Sequence, residues 1–310
     1  MPRWARSLNC NSLGICLINN SLLKISVNVI PILKARYIGK PLLQSLTKKS
    51  FTGSVVGIYQ DFCNIRGNDG RMITIAISPI GKSPFSVLIE SQDLTTSITA
   101  KMNVRADQYG INISDKIFIS LDYAETWDPK MLQFPQTFCL KASSAELLFG
   151  YTHWLESTFY YSNNKYVRNK LISGAKELQN ALVNKHPIKR PVTYLAGLGF
   201  GLTPSGDDYL LGVMASLWLT KNTNFIEEIG CLSSQKTTSL SGAYLMAASK
   251  GDFAECWHDL AQAVLYQDLK ALRESISEFL QIGASSGRDA LAGFSTHILE
   301  SRFSFNVAQN

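Results

Sequence analysis

The residue types best placed to do chemistry lie in one stretch, Gly197-Leu-Gly-Phe-Gly-Leu-Thr-Pro-Ser-Gly-Asp-Asp-Tyr-Leu-Leu-Gly212, which packs five glycines into sixteen residues. Glycine permits positive φ and lets backbone N–H groups approach a ligand closely. A helix that starts behind such a loop adds partial positive charge at its first turn, so the expected guest is a phosphate or a carboxylate. Gly199, Gly201 and Gly206 are the backbone candidates, Thr203 and Ser205 the hydroxyl candidates, and Asp207 and Asp208 the groups that could move a proton. The competing reading is mechanical: the glycines only let a central helix pack closely, and the aspartates complement its dipole. For the helix start itself two caps fit, Thr203 with Pro204 at the first position, or Ser205 with Asp208 three residues on.

Two later segments repeat this chemistry in other words. Lys236 to Glu255 opens with Thr238, Ser239 and further hydroxyls, carries Gly242 near its head and stops near Gly251, a C-cap candidate. Gly283 to Gly293 holds Ser285, Ser286, Arg288 and Asp289, with Ser286 and Asp289 spaced as a capping box. Three helix starts rich in Gly, Ser and Thr could converge on one pocket, with Arg288 supplying the fork that suits a carboxylate or phosphate. The glycine run matches neither G-x-x-x-x-G-K-[ST], since no Lys follows Gly206, nor G-x-G-x-x-G after a strand.

Other catalytic chemistries find little support. The six cysteines, at 10, 16, 63, 139, 231 and 256, form no C-x-x-C pair and read as buried free thiols. The four histidines, at 153, 186, 258 and 297, show no H-E-x-x-H spacing, and His153 and His297 read as packing residues within helices. No metal site and no cofactor are expected.

The elements that must hold these residues divide the chain. Between Ile25 and Tyr123 short apolar runs such as Met72 to Ile77 and Lys116 to Leu121 alternate with turns, Asn68-Asp69-Gly70 being a strong hairpin signal. These runs lie too close together for helices between them, which favours an antiparallel or mixed sheet. After Pro129 and Pro135 the period lengthens to that of helices: Ala145 to Phe159, Asn164 to Val183, Pro204 to Thr220, Thr238 to Ser249, Phe253 to Tyr266, Leu269 to Gln281 and Gly287 to Glu300. Pro204 to Thr220 is apolar all round past Asp208, the pattern of an enclosed central helix. The expected class is α+β: a basic N-terminal extension over 1–30, a β-rich sheet domain over 31–135, and over 136–310 a mostly α-helical domain with a buried central helix that carries the glycine-rich motif.

Composition bounds the rest. The 310 residues are 45% hydrophobic and 17% charged, which excludes a disordered chain and suggests extensive burial or an oligomer interface. The longest apolar run, Tyr209 to Leu219, is 11 residues, well short of the ~20 that cross a bilayer, so a soluble, cytoplasmic protein is expected. The net charge of +6 arises because residues 1–49 carry eight Lys or Arg and no acid. That region lacks the apolar core and cleavage site of a targeting segment. Nor are bases interleaved with aromatics elsewhere, so nucleic acid is not an expected partner.

At these residues the chain resembles the AllH-like family. The landmarks are the glycine run with Leu202-Thr-Pro-Ser-Gly-Asp-Asp208, the Thr238-Ser-Leu-Ser241 helix ending at Gly251 and Glu255, and Ser285-Ser-Gly-Arg-Asp289 with Gly293. The likeness extends over the strand region from about residue 33, including Gly53-Ser-Val-Val56 and Pro84-Phe85. It implies a subunit of the oxamate carbamoyltransferase of anaerobic allantoin degradation, a part of purine catabolism. That enzyme interconverts oxalurate plus phosphate with oxamate plus carbamoyl phosphate, beside AllF-like and AllG-like subunits. On this footing backbone N–H groups of Gly199 to Gly201 with Thr203 and Ser205 hold phosphate or polarise the carbonyl. Arg288 binds the oxamate carboxylate, and Asp207 or Asp208 orients the amide nitrogen or accepts its proton. Two other readings stand beside it, a non-catalytic scaffold subunit of a multi-protein complex and an ATP-dependent small-molecule kinase.

Overall fold

The computed structural model describes residues 16–18, 21–23, 30–77, 81–90, 97–152 and 165–307, with side chains from 30 to 301 within those ranges. Ahead of the main sheet, β1 (Cys16–Ile18) pairs antiparallel with β2 (Ser21–Leu23). The rest of the basic segment expected at residues 1–30 lies outside the described residues, as does His153.

A mixed sheet follows, made of β3 (Ile32–Gly39), β4 (Phe51–Ile58), β5 (Phe62–Gly67), β6 (Met72–Ile77), β7 (Ser86–Ile89), β8 (Asn103–Ala106), β9 (Gly110–Ile113), β10 (Ile117–Ser120) and β11 (Glu125–Trp127). Its order is β10-β9-β8-β4-β5-β6-β7-β3-β11, and β10 also pairs with β3, which closes eight strands into a barrel with β11 alongside β3. Closure removes the free edges that an open sheet must protect. Ile65, Ile73, Ile75, Val87, Ile111, Ile113 and Ile119 fill the barrel core with no exposed surface. The hairpin read at Asn68-Asp69-Gly70 is there: Gly70 sits at φ +86 and the Gly67 N–H donates to Arg71 O at 2.7 Å. β6 and β7 run parallel, so no hairpin joins them, and the described residues from Gly81 to Phe85 belong to the return crossing that a parallel pair needs. One helix among the strands, α1 (Lys40–Lys48), was not expected; Pro41 just inside its start and the Leu42/Leu46 pair four apart are its sequence signals.

The helical half comprises α2 (Ala142–Thr152), α3 (Lys165–Val183), α4 (Lys189–Leu195), α5 (Ser205–Leu219), α6 (Ile226–Ser234), α7 (Ser239–Ala248), α8 (Glu255–Tyr266), α9 (Leu269–Leu280) and α10 (Ser286–Val307). The helices expected from periodicity all appear. The short α4 and α6 are additions, and the part of the Ala145 to Phe159 prediction past 152 lies outside the described residues. As its all-apolar surface predicts, α5 is the enclosed element, with Leu210, Val213, Met214, Ala215 and Leu217 wholly buried. Its long neighbour is α10. At their crossing a Cβ on Gly212 would stand 1.9 Å from Ala290 O, so the absence of a side chain lets the two backbones meet. The free-thiol expectation holds for the buried Cys63, while Cys139 and Cys231 are exposed, so burial was not general.

The barrel meets the helices through β6, β7 and the segment ahead of β7. Every residue of both strands is buried, as for strands covered on two faces. Lys82 pairs with Glu255 at the start of α8 at 2.5 Å, its N–H donates to Glu255 Oε2 at 3.1 Å, and its carbonyl accepts from the Glu255 N–H at 2.9 Å.

Candidate functional site

The three helix starts expected to converge do so. The loop that enters α5 is sewn to the start of α7 by Thr238 Oγ1, which donates to Leu202 O at 2.5 Å, and by Ser241 Oγ, which reaches the same carbonyl at 3.4 Å. It is joined to the start of α10 by Thr203 Oγ1 and Ser286 Oγ, 2.8 Å apart. Gly197, Gly199 and Gly201 adopt φ of +72, +130 and +90, the region that favours glycine, and Gly197 is closely packed as well, since a Cβ there would stand 2.4 Å from Lys236 O. Gly206 serves packing instead. Its N–H donates to Leu198 O at 2.9 Å, and a Cβ there would meet Leu195 O. Close packing thus accounts for both Gly197 and Gly206, whereas at Gly201 nothing lies within 4 Å of a Cβ position.

The expected caps at α5 and α10 are not the ones formed. Pro204 precedes α5 and its carbonyl accepts the N–H groups of Asp207 and Asp208 at 2.9 and 3.1 Å, with no side chain capping. Thr203 and Ser205 are drawn toward α10 instead. At α10 the Asp289 N–H donates to Ser285 O at 2.9 Å, and the Ser286 hydroxyl turns to Thr203, so the Ser286/Asp289 capping box is absent. Thr238 does cap α7, accepting from the Ser241 N–H at 3.1 Å. Ser239, just behind it, is exposed.

The two adjacent aspartates have different employment. Asp207 Oδ1 accepts the Gly197 N–H at 2.8 Å and Oδ2 accepts from the Thr237 hydroxyl, so this carboxylate ties the head of the glycine loop to the approach to α7. Burial raises its pKa, opposed by Thr237, the Gly197 N–H and Ser241. Asp208 is 7% exposed and its Oδ2 lies buried without a well-formed hydrogen bond. Burial drives its pKa well above the ordinary carboxylate value. The charge of Asp289 raises it further, and the hydroxyls of Ser286 and Thr203 oppose. Asp289 has no exposed surface and titrates at about 6, raised by burial and pulled back by the hydroxyls of Ser205 and Ser285 and the charge of Arg288. Two like charges brought together out of water cannot both ionise cheaply, which adds to burial in raising the proton affinity of Asp208. Among the described residues no group of three or more His, Cys, Asp or Glu is placed to hold a metal ion.

Sequence reasoning missed Thr237 and Ser241, which partner Asp207. The signal was present in the run of hydroxyls from Thr237 to Ser241, from which only Thr238 and Ser239 were chosen. It missed as well the buried polar chain in which Tyr209 Oη accepts from Gln179 Nε2 at 3.0 Å and Gln179 Oε1 meets His297 Nδ1 at 3.1 Å. His297 is thus a core residue with a polar partner, and burial lowers its pKa to about 4.

Comparison with known proteins yields two family matches that fall on the two halves of this architecture. A family described as the oxamate carbamoyltransferase subunit AllH matches residues 195–298, from the end of α4 to α10 and so across all three helix starts. The AllH family N-terminal domain matches residues 34–126, the barrel. No solved structure matches the chain. Among the described residues no helix is long and apolar enough to cross a membrane.

Proposed function

The chain belongs to the AllH family and is a subunit of an oxamate carbamoyltransferase-type enzyme, and from that premise we propose that it carries the transfer site itself, at the junction of α5, α7 and α10. The observation that carries the proposal is the Asp208–Asp289 pair, buried together at two helix N-termini beneath a hydroxyl-lined glycine loop. A structural core has no use for two coupled carboxyls. A reaction that moves one proton between an amide nitrogen and the protein does.

In the direction of oxalurate synthesis the oxamate nitrogen attacks the carbonyl carbon of carbamoyl phosphate. The new C–N bond forms, the C–O bond to phosphate breaks, phosphate departs with that electron pair, and the nitrogen gives up one proton. Asp208 in its carboxylate form takes it. In reverse a phosphate oxygen attacks the ureido carbon, and the protonated Asp208 returns the proton to the departing nitrogen. Asp289 keeps the proton affinity of Asp208 high enough to serve both directions. The substrates are anions and need donors. The aligned dipoles of three helices, the hydroxyls of Thr203, Ser205, Ser285 and Ser286 and the guanidinium of Arg288 supply them. Holding both substrates in register supplies much of the rate, and donors aimed at the carbonyl oxygen stabilise the oxyanion.

The reading goes with AllF-like and AllG-like partner subunits. Charged phosphorylated substrates do not cross membranes unaided, which fits a cytoplasmic location. Its test is carbamoyl phosphate consumption by the assembled enzyme carrying Asp208→Asn. The expected result is a loss of at least 100-fold in kcat with the melting temperature held or raised. Wild-type turnover by the variant would remove the transfer site from this subunit.

A further inference from the structure

Residues 165–190 carry seven Lys or Arg and one acid, Glu177, whereas acids outnumber bases in the rest of the chain past residue 49. This stretch holds α3 and the start of α4, two helices that lie side by side and antiparallel. Arg190 Nε stands 3.3 Å from Glu177 Oε1, and further along Lys170 Nζ sits 4.4 Å from the Tyr166 ring centroid and 5.3 Å from that of Tyr194. Folding does not ask for these charges. A cation suits the C-terminal end of a helix, as Lys185 does behind α3, and is out of place at the N-terminal end. Yet α3 opens on Lys165 with Arg168 in its first turn, α4 opens on Lys189 and Arg190, and neither first turn holds an acid. The Arg190–Glu177 pair is exposed and offsets little of this. Bases set against the dipoles of two helices point to an anionic surface that meets them from outside.

The same face carries apolar groups and ends at the glycine loop. Tyr166 and Tyr194 are exposed on the helices, and Phe200 and Leu202 on the loop behind α4. Leu195, the last residue of α4, accepts the Leu198 N–H with its carbonyl at 2.9 Å, and a Cβ on Gly206 would stand 2.0 Å from that oxygen, so the end of α4 rests on the start of α5. Aromatic anchors among charges of one sign are the make-up of a protein interface whose partner carries the opposite sign. From this juxtaposition we propose that the exposed face of α3 and α4 is where a partner subunit of the enzyme docks, through an acidic surface of its own. The chain is a subunit, so a partner surface has to lie on it, and charge complementarity places that surface here. On the reading that the transfer site lies at the start of α5, the docked subunit borders the site at Phe200 and Leu202. An interface of this kind forms fast and weakens as salt screens its charges.

The experiment titrates the purified chain with the AllF-like and AllG-like subunits and reads the Kd of assembly in low salt and in salt of about 0.3 M, where charges farther apart than about 6 Å are screened. Wild-type assembly is expected to weaken about tenfold between the two. Lys165→Glu/Lys189→Glu reverses two exposed charges at helix starts. It should weaken assembly by about tenfold in low salt and lose most of the salt dependence. Because acids suit helix N-termini, the melting temperature of the isolated double variant should hold or rise, which separates lost docking from lost folding. Wild-type affinity in the double variant overturns the proposal, as does a wild-type Kd indifferent to salt. If assembly holds while kcat/KM falls alike for oxamate and carbamoyl phosphate, the face gathers substrates and the docking assignment fails. The transfer site is tested apart from this: Asp208→Asn should assemble like wild type without turning over, and an active Asp208→Asn would remove the site while leaving the docking face in place.

Discussion

Thr203 Oγ1 lies 2.8 Å from Ser286 Oγ, so the loop that enters α5 is fastened to the first turn of α10 across 83 residues of chain. Both hydroxyls also face Asp208 and draw its proton affinity down against burial. Thr203→Val keeps the shape and removes the hydroxyl, leaving Ser286 without its partner. A stability loss of about 1 kcal/mol is expected in urea unfolding, together with a rise in the apparent pKa of the activity profile, because one of the two groups holding Asp208 down is gone. An unshifted pH profile would show that Asp208 does not govern turnover.

The pH dependence of stability should carry the mark of Asp289. Its folded pKa of about 6 stands above the ordinary 3.8, so the folded state holds this proton more tightly than the unfolded chain. Stability is therefore highest below pH 4 on this account and falls as pH rises to 6, by about 3 kcal/mol at 1.4 kcal/mol per pH unit. Asp289→Asn abolishes that slope. Denaturant unfolding should find the variant more stable than wild type at pH 7 and equal to it near pH 4. His297 works in the opposite sense: with a folded pKa of about 4 against 6.5, it takes stability away as pH falls through that interval. Its replacement by Gln should flatten the acid limb that Asp289→Asn leaves exposed.

Two glycines of one motif should fail in different ways. Gly212→Ala drives a methyl group into Ala290 O, 1.9 Å from the Cβ position, and α5 cannot retreat because it is enclosed. The cost should reach at least 3 kcal/mol, the upper range for overpacking. At Gly201 nothing lies within 4 Å of a Cβ, and only the φ of +90 resists substitution. Gly201→Ala should cost about 1–2 kcal/mol and reveal itself mainly in kcat/KM, as the loop relaxes toward negative φ. Melting temperatures and kinetics of the two variants separate these outcomes.

What could be read from the chain follows from how local each feature is. Met72 to Ile77 is visible as a strand, and Leu210 to Leu219 as a buried helix, because a charge-free, mostly apolar run, broken only by Thr74 in the one and by Gly212 and Ser216 in the other, declares two-sided burial by itself. Barrel closure is not visible: it rests on Phe118 pairing with Ile32, Ile119 with Leu33 and Ser120 with Lys34, a register that no short window contains. The same holds at the site. Residue types and the three helix starts announce themselves, but hydroxyls beside helix starts carry identical signatures whether they cap or cross to another element. Thr203 and Ser286 mimic caps, while their bond is to each other. Adjacent carboxyls are equally opaque, since only the fold reveals that Asp207 spends both oxygens on Gly197 and Thr237 while Asp208 faces Asp289.

That division of labour yields the sharpest contrast. Asp207→Ala strands the Gly197 N–H and frees Thr237 from its acceptor, so the glycine loop loses its tether; the expected cost is about 2–3 kcal/mol of stability, with activity falling because the loop is no longer held. Asp208→Asn is nearly isosteric and removes a carboxyl whose ionised form burial and Asp289 disfavour, so the protein should unfold no earlier, and at neutral pH later, while turnover is lost. The two effects are opposite in sign on stability and alike in direction on activity. Urea midpoints and kcat for the two variants, measured at pH 7, decide between this assignment and its reverse. If Asp207→Ala proved stable and inactive, and Asp208→Asn unstable and active, the tether and the proton carrier would have to exchange places.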